Sequence, residues 1–227
     1  MLKPKKKILR KEIKKDPVLE KISQAEHFVR ENGKMLFYIL IALIVVVVLS
    51  VAMIKSKKRA NREAAGQLGM AEVAFASGDV DNAIVQFEAL IDKDPGTKSA
   101  GMATILLAQA YISKDDYPSA DENFRKYIDN YGHEDMLLAT AYNGLGACAE
   151  HGGNRAEAAK YYVNGAKIAP YKFLKYDCYF NAIRNYVELK KIEEAEQLIR
   201  QINVVDLNAK YMADYESLST KIEVLRK

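Results

Sequence analysis

The pattern of apolar and polar positions changes abruptly along the chain. Residues 35–54 form an unbroken apolar run of 20 residues that carries no charge. A helix of that length spans about 30 Å, which is the thickness of the hydrocarbon core of a bilayer. The run therefore predicts a transmembrane helix.

A weaker periodic pattern precedes this run. Val18, Ile22, Ala25 and Val29 recur at spacings of three or four residues, which predicts a short amphipathic helix that ends at Asn32-Gly33. Such a helix can lie on the membrane, meet a partner protein, or simply lead into the span, and the residues leave these three interpretations open.

Beyond residue 60 the apolar positions recur at helical spacing in paired segments. We predict helices at 62–77 and 80–92, 98–113 and 117–131, 135–151 and 155–168, and 173–189 and 192–203. A last helix at 207–226 has a Lys- and Glu-rich face that suits a terminal cap. Its apolar stripe consists of Tyr211, Tyr215, Leu218, Ile222 and Leu225. Because Lys55–Ala65 contains no helix breaker, the first repeat helix is predicted to continue from the membrane helix.

The most informative stretch is Leu145–Pro170. It combines a small residue (Gly146), a Gly-Gly-Asn turn, a second small residue (Ala158), an aromatic residue (Tyr162) and a terminal proline. Small residues let two antiparallel helices approach closely, the aromatic ring fills the adjacent space, and proline ends the second helix. The stretch predicts one helical hairpin.

This hairpin resembles the tetratricopeptide (TPR) repeat family, whose motif is about 34 residues long. Ala149 replaces one aromatic position of that motif, and the matching residues are Tyr142, Leu145, Gly146, Ala158, Tyr162 and Pro170. Alignment on Ala158 recovers three further registers at Ala83, Ala120 and Ala195, with steps of 37, 38 and 37 residues. We expected the additional residues in the turns between hairpins, and the fourth unit is the most degenerate.

The resemblance implies an all-α fold: an N-terminal transmembrane helix followed by a TPR-like solenoid of α-hairpins with a C-terminal capping helix. The predicted segments are a basic cytoplasmic arm with the amphipathic helix (1–34), the transmembrane helix (35–54), a basic linker (55–63), four hairpins (64–203) and the capping helix (204–227).

The charge distribution predicts an orientation. Residues 1–34 carry a net charge of +6 and residues 55–62 a net charge of +5, whereas the remaining chain carries −7. Eleven basic residues on a short N-terminal tail resist translocation, while long domains cross largely regardless of charge. We expect a cytoplasmic N-terminus and an extracytoplasmic C-terminal domain, which lies in the periplasm if the cell is a bacterium that has one. The basic arm either only sets this orientation or, in addition, binds the headgroups of anionic lipids.

A cleaved signal peptide is the competing interpretation of the apolar run, because Ser50-Val51-Ala52 offers small residues for a signal peptidase. The 34-residue leader and the basic cluster directly after that site argue against cleavage. The acidic repeat region also lacks the basic stripe that nucleic-acid binding requires.

Few residues offer chemistry. Cys148 and Cys178 can form one disulfide or act as buried small hydrophobes, and the second interpretation is favoured because they belong to successive hairpins at different heights. The three histidines are scattered, so no metal site, cofactor or small-molecule substrate is predicted. No nucleotide, protease or hydrolase motif occurs, and we predict that the protein is not an enzyme.

The TPR resemblance implies a concave groove lined by the first helix of each hairpin, in which a polypeptide segment binds. It does not extend to the carboxylate clamp of cochaperone TPR domains, because Leu68 and Glu72 replace the lysine and asparagine that the clamp needs. Burial in the core is the alternative for Leu68, Phe75, Ile105 and Ile112. The groove residues that the resemblance implies are Leu68, Glu72, Phe75, Met102, Ile105, Gln109, Ile112, Asn143, Ala147, Glu150, Phe180, Arg184 and Val187.

The complete layout resembles the ancillary subunit of the SecYEG protein translocon of bacterial inner membranes. That resemblance implies protein partners: the translocon, periplasmic chaperones or client segments. The alternative function is a TPR adaptor in envelope biogenesis or cell division.

Overall fold

The computed structural model describes the backbone of residues 17–226 and the side chains of residues 21–226. Residues 1–16 of the predicted basic arm lie outside the described residues. Within the described part of the chain all regular structure is helical, which confirms the predicted all-α fold. The chain divides into two compact units, Met1–Ser56 and Lys57–Lys227, which are described separately.

The first unit consists of the N-terminal part of helix α1 (Pro17–Ala76), which kinks at Asn32 (φ −107°, ψ 15°). The predicted end of the amphipathic helix at Asn32-Gly33 coincides with this non-helical residue, where two helices join within α1. The side-chain amide of Asn32 donates a hydrogen bond to the carbonyl of Phe28 (3.1 Å). Because no proline follows Asn32 to break the helix, α1 continues directly after the kink. The apolar run 35–54 lies within α1, which is long and apolar enough to cross a membrane, and its side chains are almost all exposed.

The second unit contains the C-terminal part of α1 and eight further helices that pair into hairpins. The first hairpin pairs α1 with α2 (Val80–Lys93), and the second consists of α3 (Lys98–Ser113) and α4 (Tyr117–Tyr131). The third contains α5 (Asp135–His151) and α6 (Arg155–Ile168). The fourth contains α7 (Lys172–Glu188) and α8 (Ile192–Ile199), followed by a 3-10 turn (Val204–Asp206) and helix α9 (Ala209–Arg226).

The turns inside the four hairpins share one backbone conformation. Each has three residues, and the middle one has a positive φ: Gly78 (85°), Asp115 (59°), Gly153 (79°) and Lys190 (58°). The third turn residue donates its N–H to the carbonyl five residues earlier, as in a Schellman motif. Asp79, Asp116 and Asn154 then cap the following helix through their side chains.

The additional residues of each repeat lie in the helices and not in the turns between hairpins, contrary to expectation. The three connections between hairpins have only four, three and three residues. Helices α2 to α6, by contrast, have 14 to 17 residues each.

The core lies between the helices of each hairpin and between neighbouring hairpins. The four alanines that define the repeat register, Ala83, Ala120, Ala158 and Ala195, each have no exposed surface. The aromatic position four residues later is also buried in the first three hairpins, where Phe87, Phe124 and Tyr162 occupy it. The register deduced from the sequence is therefore confirmed by burial.

The last two helices deviate from prediction. Helix α8 ends at Ile199 and not at residue 203, because Gln201 and Ile202 make i→i−3 backbone bonds that tighten the chain. Tyr211, Leu218 and Ile222 of α9 are buried as expected, but Leu225 is exposed. The capping helix therefore packs through its first four turns.

Lys190 occupies a left-handed position without being glycine, which strains its backbone. We predict that Lys190→Gly raises the free energy of unfolding by about 0.5–1 kcal/mol, since relief of this strain exceeds the extra backbone entropy of glycine in the unfolded chain. Urea denaturation of the full-length protein in detergent, followed by circular dichroism, measures the change. Lys190→Ala, which keeps a Cβ, serves as control, and an equal gain in that variant would exclude the backbone explanation.

Candidate protein-binding site

The first helices of neighbouring hairpins contact one another, because α3 packs against α5 and α5 packs against α7. Helix α7 also packs against α9, the helix that follows the fourth hairpin. First helices that approach in this way form the concave side of a solenoid. We call the exposed and half-buried surface of these helices, together with the C-terminal part of α1, the inner wall.

Three of the predicted groove residues are buried, so their assignment to a ligand-binding surface is wrong. Ile105, Phe180 and Val187 expose 2%, 1% and 5% of their surface. Ile105 belongs to a core cluster shared by the second and third hairpins, and the ring of Phe180 stacks on Tyr211 of α9 at 5.8 Å. Val187 lies in the core cluster that α9 completes.

The other apolar groove residues are half-buried. Leu68 and Phe75 pack against the core of the first hairpin, where Phe75 meets Phe87 edge to face at 6.3 Å. Met102 and Ile112 pack against the next core cluster. Each of these side chains contributes partly to the core and keeps part of its surface on the inner wall.

The polar groove residues remain accessible to different degrees. Glu72 and Arg184 are exposed, and Gln109, Asn143 and Glu150 are half-buried, as is the small apolar residue Ala147. The inner wall therefore offers apolar contacts on its first helices and hydrogen-bonding groups on its later ones.

A continuous row of polar side chains crosses three of these helices. Asn181 of α7 donates to the side-chain oxygen of Asn143 on α5 (3.1 Å), and Arg184 donates to the side-chain oxygen of Asn181. Arg184 also pairs with Asp214 of α9 (3.5 Å). We call Asn143, Asn181, Arg184 and Asp214 the polar row.

Sequence reasoning found Asn143 and Arg184 but missed Asn181 and Asp214. Asn181 follows Asn143 by 38 residues, whereas the registers of the third and fourth hairpins, Ala158 and Ala195, are 37 residues apart. The repeat step therefore points to Phe180 and gave no signal for Asn181. Asp214 lies on α9, outside the four registers, and only the packing of α9 brings it beside Arg184.

Glu150 is part of a half-buried hydrogen-bond network and not a free groove carboxylate. Its Oε2 accepts from the hydroxyl of Tyr162 and from the side-chain amide of Asn185, both at 3.0 Å. Arg155 approaches Oε1 at 3.5 Å. Burial, followed by the Glu150 charge, raises the pKa of Tyr162 and keeps its hydroxyl protonated as a donor.

The two cysteines are free thiols in this structure, and both are buried. They lie in different core clusters. Burial raises the pKa of Cys148 to about 11 and that of Cys178 to about 12, so the reactive thiolate form is scarce near neutral pH. Both side chains act as small hydrophobes in this fold.

Comparison with known proteins identifies the fold family. Residues 26–169 match the sequence model of the tetratricopeptide repeat-like domain. The chain belongs to the tetratricopeptide repeat-like family. Domains with this TPR-like fold are typically non-enzymatic scaffolds that bind other proteins.

Solved structures support the same fold. The crystal structure of MamA protein aligns with a TM-score of 0.51 at 15% identity, over 72% of this chain and 91% of that one. A kinesin light chain protein of Podosopora anserina with nearly identical TPR-like repeats aligns with a TM-score of 0.52 at 15% identity, over 71% of this chain and 93% of that one. The search of curated proteins found no significant match.

The network at Glu150 predicts a structural role that can be measured. Glu150→Leu leaves the hydroxyl of Tyr162 and the amide of Asn185 without their shared acceptor, so we expect the free energy of unfolding to fall by about 1–3 kcal/mol. Urea denaturation of the full-length protein measures the loss.

Glu188→Leu is the matched control, because Glu188 is exposed on the neighbouring helix α7. We expect a change below about 0.5 kcal/mol there. A Glu150→Leu variant as stable as this control would show that the network contributes nothing to folding.

Proposed function

We propose that this protein is a membrane-anchored module whose inner wall binds polypeptide segments of partner or client proteins. The observation that carries the proposal is the polar row, which lies beside half-buried apolar residues on successive helices of a TPR-like stack. Amide and guanidinium groups can hydrogen-bond the backbone of an extended polypeptide, while apolar neighbours bury its side chains.

The apolar segment 35–54 supports the anchoring part of the proposal. It carries no charge over 20 residues and leaves almost every side chain exposed in the helix, as a lipid-facing segment would. The family match covers residues 26–169, so the apolar segment and the first three hairpins belong to the same matched region. We propose that the segment stays in a bacterial inner membrane as a single span.

The charge distribution supports the orientation. The short N-terminal arm carries eleven basic residues, and the second unit is acidic apart from its first residues. We propose that the N-terminus is cytoplasmic and that the hairpins lie in the periplasm, next to the protein translocon and periplasmic chaperones. The combination of basic arm, single span and acidic TPR-like stack, which resembles the ancillary translocon subunit, supports this placement.

Photo-crosslinking in intact cells tests the binding surface and its partners. We expect a crosslinking amino acid at Glu72 or Gln109 on the inner wall to capture translocon subunits, secreted chains or periplasmic chaperones, because Glu72 is exposed and Gln109 is half-buried on the first helices of their hairpins. The control position is Val85, an exposed residue of the second helix α2.

Two results would contradict the proposal in different ways. Capture of wall-synthesis or division proteins from the inner wall would support the alternative adaptor function. Equal capture from Val85 and from the inner-wall positions would exclude the groove as the binding surface.

Protease protection tests the orientation. With a C-terminal epitope tag, we expect added protease to remove the tag in spheroplasts and to leave it intact in sealed inverted vesicles, because the hairpins are placed on the periplasmic side. A cytoplasmic reporter protein serves as the control for intact membranes. Survival of the tag in spheroplasts, with cleavage only in inverted vesicles, would reverse the proposed orientation.

A further inference from the structure

Four large apolar side chains are exposed at the connections from α6 to α7 and from α8 to α9. Tyr171 and Phe173 lie where α6 passes into α7 and expose 53% and 55% of their surface. Val204 and Val205 lie in the 3-10 turn before α9 and expose 38% and 91%. We call these four residues the apolar edge.

Specific contacts hold the two connections side by side. Lys172 pairs with Asp206 at 2.8 Å, and the hydroxyl of Tyr176 donates to the same carboxylate at 3.2 Å. The hydroxyl of Tyr211 donates to the carbonyl of Phe173 at 3.1 Å. The apolar edge is therefore formed by the fold itself and needs no partner for its shape.

The aromatic pair is also ordered internally. The rings of Tyr171 and Phe173 stack with centroids 5.8 Å apart and planes at 10°. Because the two rings support each other while facing solvent, they present a flat apolar surface with one hydroxyl at its border.

The chain segments that flank the apolar edge carry more basic than acidic residues, although the repeat region as a whole is acidic. Its flanking carboxylates, Asp177, Glu196 and Asp206, are outnumbered by cationic side chains. The cationic residues are Lys167, Lys172, Lys175, Arg200 and Lys210. The residues that flank the apolar edge therefore sum to a positive net charge, whereas the repeat region as a whole has a negative one.

Within the second unit, these connections lie at the same end of the hairpins as Lys57, the first residue of the unit. Successive helices run antiparallel, so the connections between hairpins and the start of the unit at Lys57 lie at the same end of the hairpins. A cavity of about 680 Å³ shows this directly for the first hairpins, since Lys57 and Asn61 line it together with Pro95 and His133. Only Lys55 and Ser56 separate Lys57 from the apolar run, so this end of the unit is the one that the chain joins to the run.

We propose that the apolar edge contacts the surface of the anionic bilayer in which the chain is anchored. Tyrosine and phenylalanine with nearby lysines suit the membrane interface, where rings enter the headgroup region and ammonium groups meet lipid phosphates. A fluid lipid surface accepts a protruding side chain such as Val205 without a complementary pocket. The inference rests on the proposed membrane anchoring and assigns a second, weaker lipid contact to the repeat stack.

A fluorescence experiment on the full-length chain tests this contact. The Val205→Cys variant is labelled with the environment-sensitive dye NBD and placed in nanodiscs of phosphatidylcholine and phosphatidylglycerol, with and without doxyl-labelled lipid. We expect quenching by the doxyl lipid, and less quenching at high salt because the basic residues contribute to the contact. Background labelling should be low because Cys148 and Cys178 are buried.

The matched control is Val85→Cys, labelled in the same way, because Val85 is an exposed valine in the interior of the second helix α2, away from either connection. We expect no quenching by doxyl lipid there. A second variant, Lys167→Glu with Lys175→Glu in the Val205→Cys background, should reduce quenching in anionic nanodiscs.

The outcomes separate this inference from the proposed function. A chain that incorporates into nanodiscs but shows equally weak quenching at residues 205 and 85 overturns the lipid contact and leaves the anchoring intact. A chain that fails to incorporate overturns the anchoring and this inference with it. Shielding of the dye at residue 205 in native membranes, combined with no quenching by doxyl lipid, overturns the inference in favour of a protein partner.

Discussion

The close approach of two antiparallel helices within each hairpin is the constraint on which the fold depends. In the third hairpin, a Cβ at Gly146 would lie 2.5 Å from the ring of Tyr162, so only glycine leaves room for the aromatic residue. Ala158, four residues before Tyr162, is fully buried at the same contact. Close packing of this kind stabilises the hairpin through many short dispersion contacts, and it makes the contact intolerant of larger side chains.

The same packing decides which residues can serve as a binding surface. The first helix of a hairpin has three kinds of positions. Some face the second helix of the same hairpin, some face the next hairpin, and the rest remain exposed to solvent. Phe180 faces the next helix because Tyr211 of α9 stacks on it, whereas Arg184, one turn later, is exposed and reaches Asp214. The candidate binding surface therefore consists of the residues that remain accessible to solvent after the helices pack. The polar row forms on it because α5, α7 and α9 lie side by side.

Charge is separated along the chain in a way that fits the proposed anchoring. Basic residues are concentrated before and immediately after the apolar run, and the acidic residues are concentrated in the repeats. The apolar edge departs from this trend, since the chain segments that flank it carry more basic than acidic residues within an acidic unit. Arg155 and Glu150, by contrast, use opposite charges to support a hydrogen-bond network within the stack. Each charged group therefore has to be interpreted from its neighbours and not from the average composition.

Local sequence signals determined the helices of this protein. Repeated alanines, short turns with Asp or Asn caps, and apolar spacing predicted most helix bounds to within a residue or two, because these features act within one or two turns of the chain. Only the tertiary structure decided that Ile105, Phe180 and Val187 are core residues and that Glu150 is a structural acceptor. Periodicity shows that a residue faces inward, but whether it meets solvent or another helix depends on neighbours that lie more than 30 residues away in the sequence, as Tyr211 does from Phe180.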